Sequence, residues 1–155
     1  SAEACQETVR EFLPAADLVK LSDEECFFVT GKHSILDAAD WLFEQGCKMV
    51  LYSMGKEGAM ILTPHFSSHV ENPEVRVKDT TGAGDAIIGA YLYCLAKNHI
   101  TVSQLATCSP EQVQEWLTFA VYYANYSITK SGAIASYPDY TTFVKWMQEK
   151  RKKAH

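Results

Sequence analysis

Asp79-Thr80-Thr81-Gly82-Ala83-Gly84-Asp85 is the stretch on which the reading of this chain turns. Val75 and Val77 ahead of it read as a strand, and Ala86 to Lys97 behind it reads as a buried helix rich in small and apolar residues. Two glycines at such a junction let the backbone turn tightly and bring its N–H groups against a bound anion. The helix that follows adds unpaired N–H groups and the positive end of its dipole. Asp85 is the odd member. A carboxylate beside an anion pocket repels the ligand unless it has chemistry to perform, and the natural chemistry is to take the proton of an attacking hydroxyl.

A bare Gly-x-Gly-Asp fits any glycine turn before a helix, with the aspartate only favouring the N-terminus. The seven-residue string is far more specific. It closely resembles the C-terminal signature of the PfkB (ribokinase-like) carbohydrate kinases. That resemblance implies an α/β chain with a ribokinase-like three-layer α/β/α fold, of which residues 1–155 form the C-terminal, nucleotide-binding half. It implies Asp85 as general base, with the N–H groups of Gly82, Ala83 and Gly84 holding the charge of a transferring phosphoryl group.

The bulk numbers set the frame. At 155 residues the chain has the length of one ordinary domain, with the apolar and charged content of a soluble globular protein. A net charge of −5 argues against a nucleic-acid or anionic-membrane surface. The one basic cluster, Lys150-Arg151-Lys152-Lys153, reads as a frayed, solvated tail. No apolar run is long enough to span a bilayer, and the first residues do not read as a signal peptide. The five cysteines are odd in number and scattered, which leads to an expectation of reduced thiols in the cytoplasm. His65 and His69 stand four apart, but in a Pro-bearing loop or edge strand rather than a helix, so no metal is assigned to them.

Along the chain, helix and strand alternate. Residues 3–13 read as a helix ended by Pro14, and Ala16 to Leu21 as a short strand. Ser22 reads as the N-cap of a helix from Asp23 to Thr30 stopped by Gly31. Ser34 caps the next helix, which ends at Gly46. Met49-Val50-Leu51-Tyr52 is a continuous apolar strand of the kind buried in a parallel sheet, joined through Gly55-Lys56-Glu57-Gly58 to Ala59–Leu62 as a hairpin. Two more helices are expected over 111–128 and 139–150, and no linker or repeat divides the chain.

Three further segments fit the resemblance. Lys20-Leu21-Ser22-Asp23-Glu24-Glu25 is similar to the family's Asn-x-x-Glu region, which gives Lys20 and Glu25 to the nucleotide site, with Glu25 helping to organise magnesium through water. From the residues alone, a helix cap followed by first-turn acids is the favoured reading. Ser53-Met54-Gly55-Lys56-Glu57-Gly58 is similar to the Ser/Thr-x-Gly-x-x-Gly turn that lies along the nucleotide's phosphates and ribose, although a plain hairpin fits the same residues. Ile128-Thr129-Lys130-Ser131-Gly132-Ala133-Ile134 resembles the loop near the adenine pocket. With the signature it implies a potassium site whose oxygen ligands come from Asp79, Thr81, Ser127, Lys130 and Gly132; an ordinary helix-ending Gly loop reads the same way.

Two departures stand beside these matches. Ala86-Ile87-Ile88-Gly89-Ala90 replaces the family's Ala-Phe and Gly-Gly, which implies altered packing rather than lost chemistry. In Phe119-Ala120-Val121-Tyr122-Tyr123-Ala124-Asn125, aromatics replace a smaller, Asn-containing pattern, and they read as core or oligomer surface. Family members are considerably longer, so the N-terminal half that supplies most sugar contacts and the lid is expected to be missing.

The expected function is ATP-dependent phosphorylation of a sugar's primary hydroxyl, with fructose first. Aminoimidazole riboside kinase and ribokinase are the alternatives within the class, and a relative acting on a vitamin-like alcohol is a third. A non-catalytic nucleotide-binding remnant is the alternative outside it. The implied partners are ATP, the sugar, the missing half and a second copy of the full-length enzyme; this half alone is expected to be inactive.

Overall fold

A computed structural model of the chain describes residues 1–132 and 134–153, so Ala133 of the loop quoted above lies outside the described residues. The chain opens with α1 (Ala2–Phe12) and a 3-10 turn, Leu13–Ala15, that holds Pro14. Strand β1 (Leu18–Ser22) follows, two residues later than its apolar content implied. Ser22 ends the strand and caps α2 (Asp23–Thr30): its hydroxyl accepts Glu25 N–H while the Glu25 carboxylate accepts Ser22 N–H. Gly31 stops α2 at φ 73, in the left-handed region where a glycine is favoured. Helix α3 (Ile35–Glu44), capped by Ser34, leads to β2 (Met49–Ser53).

β2 is the pivot of a four-stranded sheet of order β1-β2-β3-β4. It pairs in parallel with β1, Leu18 opposite Met49 and Ser22 opposite Ser53, and antiparallel with β3 (Ala59–Leu62). The fourth strand, β4 (Ser67–Val70), corrects the sequence reading. Val75 and Val77 form no strand, and Val77 is 55% exposed. A tight turn in which Thr63 and Phe66 exchange hydrogen bonds instead folds a polar segment back onto β3. Its pairing comes from backbone geometry, since only Val70 of the four is buried. Pro73 then removes a donor from the chain and the ladder ends.

Three helices complete the molecule: α4 (Ala83–Lys97), α5 (Pro110–Ser127) and α6 (Tyr140–Lys153). Alternating strand residues serve two cores. Met49, Leu51, Ala59 and Ile61 pack with α4 and α5, whereas Val50, Tyr52 and Leu62 pack with α2 and α3. Helices therefore cover both faces of the sheet, the three-layer α/β/α arrangement. The basic cluster is the last turn of α6 rather than a frayed tail, where cations complement the helix dipole. Lys150 also donates to the Glu74 carbonyl at 2.5 Å. All five cysteines are free thiols, and no described helix is long and apolar enough to cross a membrane.

Candidate functional site

The alternation of β1 decides where the site forms. Leu18 faces the α4/α5 core while Val19 and Leu21 face the α2/α3 core. Lys20 therefore shares the face of Leu18 and reaches the start of α4. Its Nζ stands 3.2 Å from where a Cβ on Gly84 would lie. The ammonium is tethered at 3.1 Å to Glu25 Oε2, the same oxygen that accepts Ser22 N–H at 2.7 Å. Burial pushes the Glu25 carboxyl upward, but the Ser22 N–H, Lys20 and the Ser22 hydroxyl outweigh it and hold the group below its ordinary value. One capping box thus also aims a lysine at a helix N-terminus.

A cavity of about 440 Å³ opens at this point. Lys20, Ser22, Ala83 and Gly84 line one side, and Ser53, Gly55 and Gly58 another. The far end is closed by Asn72 with Val121, Ala124, Asn125 and Ile128. Gly82 caps α4 in the left-handed region at φ 77, so the chain enters the helix with its first N–H groups unpaired by helical carbonyls. Ala83 N–H, expected to help hold an anion, is instead taken by the Thr80 carbonyl at 3.2 Å. In the glycine turn, Gly58 has φ 96, and a Cβ there would lie 2.0 Å from the Val70 carbonyl oxygen. Met54, Lys56 and Glu57 belong to that turn without lining the cavity.

Asp85 lies on the other flank of α4. With Ala86, Gly89, Ala90 and Tyr93 it forms one wall of a second cavity of about 300 Å³, closed by Phe119, Tyr123, Tyr137, Pro138, Tyr140 and Phe143. The Tyr137 hydroxyl donates to the Gly82 carbonyl at 3.3 Å, which ties this aromatic wall to the signature loop. Of the three unexpected aromatics of α5, Tyr122 packs edge-on against Trp146 of α6 and the other two belong to this wall. Phe119 and Tyr123 stack within the aromatic wall, while Val121, Ala124 and Asn125 face the first cavity.

The signature also meets the loop after α5. Ile128 accepts Lys78 and Asp79 N–H groups at 2.8 and 3.2 Å. Asp79 accepts Thr81 N–H at 2.9 Å on one oxygen and Gly132 N–H at 3.0 Å on the other. These bonds, Gly132 first, hold its carboxyl down at about 2. Ser127 and Lys130 share the neighbouring turn, where Lys130 N–H donates to the Ser127 carbonyl at 3.1 Å. Each Asp79 oxygen accepts one N–H and keeps a further lone pair, and such hard oxygen donors are of the type a monovalent cation takes. For magnesium the residues offer less. No group of three His, Cys, Asp or Glu is arranged to hold a metal among the described residues. Glu25 has one oxygen committed to Lys20 and Ser22, leaving the other for a water-bridged contact. That fits a magnesium held mainly by nucleotide phosphates and water.

Residues 1–140 match the model of the pfkB family of carbohydrate kinases. The chain belongs to this family. Among curated relatives, this pfkB chain is 32% identical over 139 residues to fructokinase-2 of Solanum habrochaites, covering 89% of itself and 41% of the relative. Among solved structures it is similar to the fructokinase of Vibrio cholerae O395 in its fructose, ADP and calcium-bound form (TM-score 0.80, 28% identity, 94% of this chain and 45% of that one). It is also similar to aminoimidazole riboside kinase of Salmonella enterica complexed with aminoimidazole riboside and an ATP analogue (TM-score 0.76, 26% identity, 95% and 47%). The chain thus spans less than half the length of these pfkB relatives, and its three-layer architecture is the ribokinase-like fold they share.

The network missed from sequence runs through Asn72 and Asn125. Asn125 Nδ2 donates to Asn72 Oδ1 at 2.8 Å, a pairing across 53 residues that no local pattern signals. The departure of the α5 segment from the family's pattern was the one available hint.

Proposed function

We propose that this chain is the C-terminal, phosphoryl-transferring part of an ATP-dependent sugar kinase acting on a primary hydroxyl, with fructose the leading acceptor. One observation carries the reading: the N-terminus of α4 separates a cavity with a lysine and glycine N–H groups from a second cavity walled by Asp85. Such an arrangement suits a nucleotide whose phosphates approach Gly84 and Lys20 from one flank while an alcohol approaches Asp85 from the other. Asp85 accepts the hydroxyl proton, and the oxygen forms its bond to the γ-phosphorus as the bond to the β–γ bridging oxygen breaks and ADP departs. Gly84 N–H and the Lys20 ammonium offset the charge on the transferring oxygens. When bound, magnesium supplies further neutralisation across the phosphates, and potassium at Asp79, Thr81, Ser127, Lys130 and Gly132 would brace the loop. The half absent here would supply the sugar contacts and the lid.

The similarity to fructokinases of two kingdoms supports fructose, and that to aminoimidazole riboside kinase keeps the riboside as the competing acceptor. The test is turnover of the complete protein with ATP and a panel of fructose, ribose and aminoimidazole riboside, with the product identified. ADP formed in step with fructose phosphate is the expected result. ATP binding without transfer to any acceptor would favour a non-catalytic nucleotide module instead.

A further inference from the structure

The glycine turn between β2 and β3 is held from outside by side chains. Asn72 Nδ2 donates to the Gly55 carbonyl at 2.8 Å and to the Lys56 carbonyl at 3.2 Å. His69 Nε2, which must carry the proton because its partner is a carbonyl, donates to Glu57 at 2.8 Å. Three successive turn carbonyls are therefore taken by donors from residues 69–72. Asn72 is itself oriented, since its Oδ1 accepts the Nδ2 of Asn125, a buried residue of α5 that also bonds Val121 O at 2.8 Å. In a trans peptide the N–H points opposite to the preceding carbonyl. Engaging the Gly55 carbonyl thus fixes the Gly55–Lys56 peptide plane at the edge of the cavity that Gly55 and Asn72 line.

We infer that Asn72 is a positioning residue for the nucleotide: steered by Asn125, it occupies the Gly55 and Lys56 carbonyls and so holds in one shape, with those acceptors withdrawn from an anion, the turn whose Gly55 and Gly58 line the cavity. This rests on the kinase reading above, in which the turn borders the phosphates. It predicts that in the complete protein Asn72→Ala raises the ATP KM about tenfold, with kcat and the acceptor KM within about twofold. Asn72→Asp, isosteric but lacking the donor, should do the same or worse. Asn125→Ala should match Asn72→Ala, and the double variant should add little, because the two act as one unit.

The measurements are ATP and acceptor KM values, calorimetric binding of ATP, and the melting temperature of each variant. Lower melting temperatures with unchanged ATP binding and KM would make the relay purely structural and overturn the inference while leaving the kinase reading intact. Wild-type protein that neither binds nor consumes ATP would overturn both.

Discussion

At the start of α4 the approach is close. A Cβ on Gly84 would stand 3.2 Å from the Lys20 ammonium, so glycine gives the flexible cation room over the helix N-terminus that alanine would trim by only a few tenths of an ångström. Of the two residues that the motif singled out, Lys20 stands beside Gly84 of the signature, and Glu25 touches Lys20 rather than the signature itself. Their mutual bond follows from the five-residue spacing across a strand end and a capped turn. Asn72 and Asn125 were not legible, because their pairing depends on how a loop and a distant helix meet. Asp79 carries a pH signature. Its carboxyl, held at about 2 against an ordinary 3.8 by Gly132 and Thr81, adds stability that is fully present above 3.8 and lost as pH falls through about 2. Asp79→Asn, which keeps one acceptor oxygen of the two, should therefore lower the melting temperature at neutral pH. That deficit should shrink as the pH is taken from about 5 to about 2, as measured by thermal unfolding. A deficit independent of pH would show that the charge is not what holds the loop.

At the scale of elements, the helices with side-chain caps fell where the sequence placed them. Ser22, Ser34 and Ser109 each accept the N–H three residues on, and such local chemistry needs no tertiary context. The strands were harder. β2 declared itself by a continuous apolar run, but β4 is largely polar and exists because the Thr63–Phe66 turn delivers it to β3. Val75 and Val77 have strand propensity but join no strand, an example of tertiary context overriding preference. The turn between β2 and β3 is the most constrained element. Gly58→Ala would set a Cβ 2.0 Å from a backbone oxygen at φ 96, with no flexible side chain to yield. We expect a loss of about 3 kcal/mol or more in urea unfolding, with lost order at the Gly55–Gly58 turn. A cost below about 1 kcal/mol would mean that β4 can withdraw from β3 without penalty.

For the whole molecule, the sheet order places β1 at one edge, with no strand on its outer side among the described residues. A parallel-type edge strand over an apolar core is a template for another strand. The 155-residue chain by itself is therefore expected to associate, with sedimentation coefficients that rise with concentration. A stable, monodisperse monomer would show that this edge needs no cover. Composition and motifs carried the architecture far because the pattern of period 2 and period 3.6 is written into each core. The acceptor's identity was not legible, since the chain spans less than half of its relatives and only Asp85 faces the second cavity with a charge.

Whether Asp85 is the base of a phosphoryl transfer to a sugar is decided by one comparison. Fructose phosphorylation by the complete protein is measured beside that of Asp85→Asn, with ATP binding followed in both. With Asp85 as the base, ATP binding stays intact and turnover falls by about 10²–10⁴-fold in the variant. Turnover within a few-fold of wild type would contradict that role.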